Sequence, residues 1–176
     1  MKIFRLYHKV DGYKAICTKG TKLEESLINL GNDVDFSKHE GSKFEWCGEE
    51  SDVVCNFPFI DGSIPVLSTK AYSVIQKILV NCIMLTNIQV HGDNYIILDA
   101  NLVEGVLNTE KSSIKYFKDG RVMNIKKYVF NSIDDIPAAF KIPECKTFTF
   151  VTEDVISALE ESGITDGLNY ELCDVE

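Results

Sequence analysis

The sequence predicts an α+β fold built mainly on antiparallel sheet, with hairpins and about three helices. Three observations lead there: alternating apolar stretches joined by short Asp-Gly or His-Gly turns, only three segments with helical spacing, and no regular alternation of strand and helix. Regular βα alternation would instead favour a doubly wound parallel sheet.

The elements follow in order. KIFRLYH and GYKAICT flank Lys9-Val10-Asp11-Gly12 and read as an opening hairpin. Thr21-Lys22-Leu23-Glu24 matches a capping box, Leu23, Leu27 and Leu30 share one face, and Gly31 supplies a stop. Residues 31 to 63 are less periodic, rich in acid and Gly, and read as a long excursion with at most short strands. Ser68 caps a second helix with Ala71, Val74, Ile75, Ile78 and Leu79 on its buried face. NIQV and YIIL pair across His91-Gly92-Asp93-Asn94, and SIKYFK pairs with RVMNIKKYVF across Asp119-Gly120. AAFKI and the strictly alternating KTFTFV come next. In the closing stretch Thr152 N-caps a helix from Glu153 to Ser162, with Val155, Ile156 and Leu159 inward, Glu160 and Glu161 outward, and Gly163 ending it. Leu168, Tyr170 and Leu172 then alternate with Asn169 and Glu171 as a half-buried strand. No repeat, linker or low-complexity run divides the chain, so residues 1–176 are read as one domain.

With 176 residues, 45% of them apolar and 26% charged, the chain has the composition of a globular protein. MKIFRLYHKV carries charges where a signal peptide needs an apolar run, and Gln76, Lys77 and Asn81 interrupt the longest apolar stretch, so a cytoplasmic location is expected. The six cysteines include no C-x-x-C pair and read as reduced thiols; Cys47, Cys55 and His39 have no compact zinc spacing and lack a fourth ligand. The net charge of −9 is uneven: residues 24–52 hold nine Asp or Glu against two Lys, and residues 144–176 nine against one. This argues against nucleic acid or an anionic membrane as partner. It suits a basic protein partner, or a surface kept soluble by its charge.

No phosphate-binding loop, dinucleotide fingerprint, zinc-protease motif or nucleophile elbow occurs, so no catalytic residue, metal or cofactor is assigned. His8, His39 and His91 lie far apart, and Asp134-Asp135 precedes Ile136-Pro137 in a turn-like setting. Trp46, the only tryptophan, stands among Glu45, Glu49, Glu50 and Asp52, and is either an interface anchor or a cover for the core edge.

The order of segments adds a resemblance. A Pro-hydrophobic-Ser helix start (Pro65, Leu67, Ser68), a Y-x-x-L strand leading into V-L-x-x-x-x-S (Tyr95, Leu98, Val106, Leu107, Ser112), an F-K-I strand (Phe140, Lys141, Ile142) and a closing helix with a Gly-Ile-Thr, Gly and Tyr ending (Gly163, Ile164, Thr165, Gly167, Tyr170) occur in sequence. This resembles the eleventh immunity-protein family of bacterial polymorphic toxin systems, formerly a domain of unknown function. The likeness spans about residues 60 to 176, more loosely the first sixty, and departs at Asp166, which lengthens the final turn by one residue. It implies a cytosolic protein that binds a cognate toxin domain encoded next door, without catalysis or cofactor. Glu45, Trp46, Glu49, Glu50 and Asp52 are then the expected partner-binding residues. The alternative is a small enzyme or ligand-binding domain with a pocket around Cys55, His91 or Asp99.

Overall fold

A computed structural model describes residues 1–30, 34–133 and 135–176. The expected helix stop at Gly31, the side chain of Leu30, and Asp134 of the Asp134-Asp135 pair lie outside the described residues.

The fold is α+β, with two main β-structures and three α-helices among the described residues. The first is a five-stranded sheet. Its centre is β1 (Ile3–His8), hydrogen-bonded antiparallel to β12 (Cys145–Thr152) on one edge and to β13 (Leu168–Val175) on the other. β11 (Ala139–Ile142) pairs antiparallel with β12, and β10 (Val129–Phe130) lies parallel to β13. The second is a closed six-stranded barrel in the order β2 (Ala15–Cys17), β3 (Lys43–Cys47), β6 (Ile83–Val90), β7 (Asp93–Ala100), β5 (Ile64–Ser68) and β4 (Phe59–Ile60). A separate ribbon pairs β8 (Ser113–Tyr116) with β9 (Val122–Lys127).

The opening hairpin is therefore a correction. The Asp11-Gly12 turn forms, with Gly12 at φ 82°. However, β13 and β12 occupy the two edges of β1, so β2 crosses to the barrel and pairs with β3 and β4. Between residues 34 and 63 the strands are short, as expected, yet the segment is built into the barrel. It supplies two barrel strands and a short 3-10 helix at Phe36–His39, and it buries Phe36, Phe44, Phe57, Phe59 and Ile60.

Three apolar clusters organise the molecule. The barrel interior holds Ile16, Phe44, Ile60, Val66, Ile88, Val90, Tyr95 and Ile97, closed at one end by Leu23 of α1 (Lys22–Leu30). Thr21 Oγ1 accepts from Glu24 N–H at 3.2 Å, while the Glu24 carboxylate accepts from Gly20 N–H at 2.6 Å, so the capping box forms one residue wider than its usual pattern. On the outer face of β5 and β7, Leu67, Ile96, Leu98 and Ala100 meet α2 (Thr69–Ile75), α3 (Glu153–Ser162) and Leu6, Ala139 and Val151 of the five-stranded sheet. β7 is buried on both faces, and for that reason YIIL is a continuous apolar run and not an alternation. The third cluster covers the far face of the sheet, where Phe140 and Phe150 stack at 5.6 Å and Phe130 meets both edge-on.

The helix signals hold with two adjustments. Ser68 Oγ accepts from Ala71 N–H at 3.1 Å, but α2 ends at Ile75, and Ile78 and Leu79 follow in turns. Thr152 has the extended backbone of an N-cap, yet its hydroxyl is buried without a hydrogen-bond partner among the described residues, and the first helical N–H, of Glu153, donates to Lys2 O at 3.0 Å. Gly163 ends α3 at φ 69°, and Ile164 N–H reaches back to Leu159 O at 3.1 Å, closing the left-handed cap with an apolar contact between those two residues.

Candidate functional site

The closing turn is a junction. Asp166, the residue by which this chain departs from the resemblance, accepts from Asn56 N–H at 2.7 Å and Asn56 Nδ2 at 2.8 Å. Asn56 Oδ1 in turn accepts from Ser68 Oγ at 2.5 Å, the hydroxyl that caps α2. Phe57 N–H donates to Asp166 O at 3.1 Å and Lys9 N–H to Gly167 O at 3.0 Å. The tail thus ties the barrel loop, α2 and the end of β1 together through hydrogen bonds, and each of these groups has a structural duty.

The five expected partner-binding residues divide by strand geometry. Glu45 and Trp46 are neighbours on β3 and point to opposite faces. Trp46 turns inward, half-buried, and meets the Tyr95 ring edge-on at 5.4 Å against the barrel core. The core-edge reading of Trp46 is the one its packing favours. Glu45 is exposed, and its carboxylate meets His91 Nε2 in the β6–β7 turn. Asp52 closes a local turn by accepting from Glu49 N–H at 2.7 Å. Glu49 and Glu50 are exposed, next to Val53 and Val54, which are 55% and 49% exposed.

Cys55, His91 and Asp99 do not converge. Cys55 is buried beneath Gly167, where burial pushes its thiol up to about 12, and His91 and Asp99 stand at opposite ends of β7. Asp99 instead meets a residue that spacing alone did not pair with it. Its Oδ1 lies 2.7 Å from Lys141 Nζ of β11, and the two side chains are only 19% and 11% exposed. This ion pair links the barrel to the five-stranded sheet and floors a cleft of about 350 Å³ lined by Val34, Asp35, Met84, Leu102 and Asn101. The Lys141 ammonium also lies 5.7 Å from the Phe36 ring. The lining offers charge and apolar surface and includes neither His nor Cys, so it is equipped to hold a ligand.

Cys17 and Cys47 sit on adjacent barrel strands, where burial first and the neighbouring Cys17 thiol second raise the Cys47 pKa. Among the described residues, no group of three or more His, Cys, Asp or Glu is placed to hold a metal ion. None of their helices is long and apolar enough to cross a membrane. His8 and His39 are both buried, and burial lowers each ring's pKa.

A second cleft, of about 600 Å³, opens between β9 and the β11–β12 turn. Sequence reasoning passed over it, although a cluster of Lys and Arg around Asp119-Gly120 in an acidic chain is a visible signal. Compared with known proteins, the chain matches no family model and no curated protein.

Proposed function

We propose that this chain is an immunity protein: a single domain that binds a cognate polymorphic toxin domain in the cytoplasm and neutralises it by stoichiometric contact, without cofactor or turnover. The observation that carries the reading is the ordered set of motifs from Pro65 to Tyr170. The residues in those motifs have framework duties, which supports it. Ser68 caps α2, Tyr95 and Leu98 flank opposite faces of β7, Phe140 and Ile142 are fully buried, and Gly163 and Gly167 hold left-handed turns. A neutralising protein needs a shaped surface on a stable frame.

In this proposal the specificity surface lies in the first sixty residues, where the likeness is loosest. Its exposed part is Glu49 and Glu50 with Val53 and Val54, flanked by Glu45. Carboxylates there favour encounter with a basic toxin domain, and the valines supply apolar contact. Trp46 and Asp52 act through the frame: one fills the barrel mouth and the other holds the turn.

The test is co-expression with the C-terminal domain of a large secreted protein encoded next door, followed by purification and a survival assay. The expected result is an equimolar complex and protection of toxin-producing cells, with charge reversal at Glu49 and Glu50 slowing association mainly at low salt. Failure to bind that domain would sink the reading. The Asp99–Lys141 cleft favours a second reading, a small-ligand-binding domain. Protection undiminished in a Lys141→Met variant would set it aside.

A further inference from the structure

The β8–β9 ribbon is a basic segment in an acidic chain, as are residues 1–23. From Thr109 to Tyr128 there are six basic residues (Lys111, Lys115, Lys118, Arg121, Lys126, Lys127) against Glu110 and Asp119, in a chain of net charge −9. Lys111 and Lys127 are held by Glu176 and Asp174, and Arg121 by Asp119, whereas Lys115, Lys118 and Lys126 stand exposed. Among them Tyr116, Phe117 and Met123 are 50%, 45% and 41% exposed. The ribbon is well seated, because Ile125 is buried and Ile114 and Val122 pack on the third cluster.

The cleft beside the ribbon has an unusual wall. Arg121, Val122, Met123, Asn124 and Ile125 line it consecutively. Residues on one face of a strand alternate, so an unbroken run marks a strand edge, where backbone N–H and C=O groups point outward. Among the described residues β9 pairs with β8 alone, which leaves its second edge to the cleft.

We propose that this cleft is a docking site for an extended acidic segment of a protein partner, which adds to β9 as a third strand. Val122–Lys127 spans six residues, about 20 Å of strand, so a segment of roughly five to seven residues fits. Backbone hydrogen bonds to the edge supply affinity; Lys126 on β9 and Lys115 on the neighbouring β8 attract carboxylates, and Met123, which lines the cleft, offers an apolar anchor. The net charge of −9 disfavours a long polyanion such as nucleic acid, while a short acidic strand is small enough to be held by the basic ribbon. This inference does not depend on the immunity reading, since the partner is defined by its chemistry alone.

The probe is a pool of fluorescein-labelled heptapeptides alternating Glu or Asp with Val, Ile, Thr or Tyr, followed by anisotropy on the full chain. Saturable binding that weakens as salt rises is expected, together with a ~10-fold or greater loss in Lys115→Glu/Lys126→Glu, whose exposed positions leave the fold intact. Peptides N-methylated at alternate residues should not bind, and hydrogen exchange at residues 122–126 should slow when the unmodified pool is added. The proposal is overturned if the pool fails to bind, if methylated peptides bind equally, or if charge reversal has no effect. Tighter binding of a single-stranded oligonucleotide of equal charge would likewise overturn it, and absence of all binding would leave the lysines as guards of a bare strand edge.

Discussion

Gly167→Ala tests whether the closing turn is the junction its hydrogen bonds describe. Gly167 sits at φ 81°, a conformation costing an L-residue about 1–2 kcal/mol. A Cβ added there would lie 2.8 Å from Phe57 O and 2.9 Å from Cys55 Cβ, and would overlap the Cys55 sulfur. Two of these neighbours cannot swing away: Phe57 O is backbone, and Cys55 is fixed beneath the turn with 3% exposure. Forcing a methyl into such a site costs a further ~1–3 kcal/mol. The total is therefore roughly 2–5 kcal/mol. Gly163→Ala is the matched control, because Gly163 has φ 69° but nothing within 4 Å of the added Cβ. It should show the backbone cost alone, about 1–2 kcal/mol, partly offset by reduced freedom of the unfolded chain. Urea denaturation of both variants, with unchanged slope, measures the difference. Equal losses at the two positions would refute the close approach of the turn to Cys55 and Phe57.

Leu159→Ala should destabilise by roughly 2–4 kcal/mol, since Leu159 is 1% exposed against α2 and the sheet, whereas exposed Glu160→Ala should stay within about half a kcal/mol; denaturation midpoints compare them. Asp166→Ala should cost about 1–3 kcal/mol by leaving Asn56 N–H and its side chain without their acceptor, while Asp166→Asn, which keeps an acceptor oxygen, should cost less. In thiol titration of the native protein, Cys55 and Cys173, buried and pushed up to about 12 by burial, should react only on unfolding; labelling as fast as that of half-buried Cys17 would contradict this. Burial holds His8 and His39 below the ordinary 6.5, so as pH falls the unfolded chain takes up protons first. Stability is thus full above about pH 6.5 and declines as pH falls toward the folded-state pKa values. His8→Gln/His39→Gln should flatten that decline in melting scans taken between neutral and mildly acidic pH.

The sequence by itself determined the elements whose signals act within a few residues. A hydroxyl three residues from a free N–H caps α1 and α2, and a glycine at positive φ ends α3. Alternation marks KTFTFV, while His91 and Gly92, both at positive φ, make the two-residue turn between β6 and β7. Tertiary structure decided which edges meet. β1 carries the alternation of a hairpin strand but takes β12 and β13 as neighbours, because pairing depends on which strand edges remain open after the whole chain has collapsed. The same holds for the clefts. Asp99 and Lys141 are forty-two positions apart and meet only because barrel and sheet share the cluster around α2 and α3. The bare edge of β9 exists because no other strand of the described residues reaches it. Trp46 shows the limit most directly: its acidic neighbours in sequence suggest a surface, and the two-residue period of β3 turns its ring into the barrel.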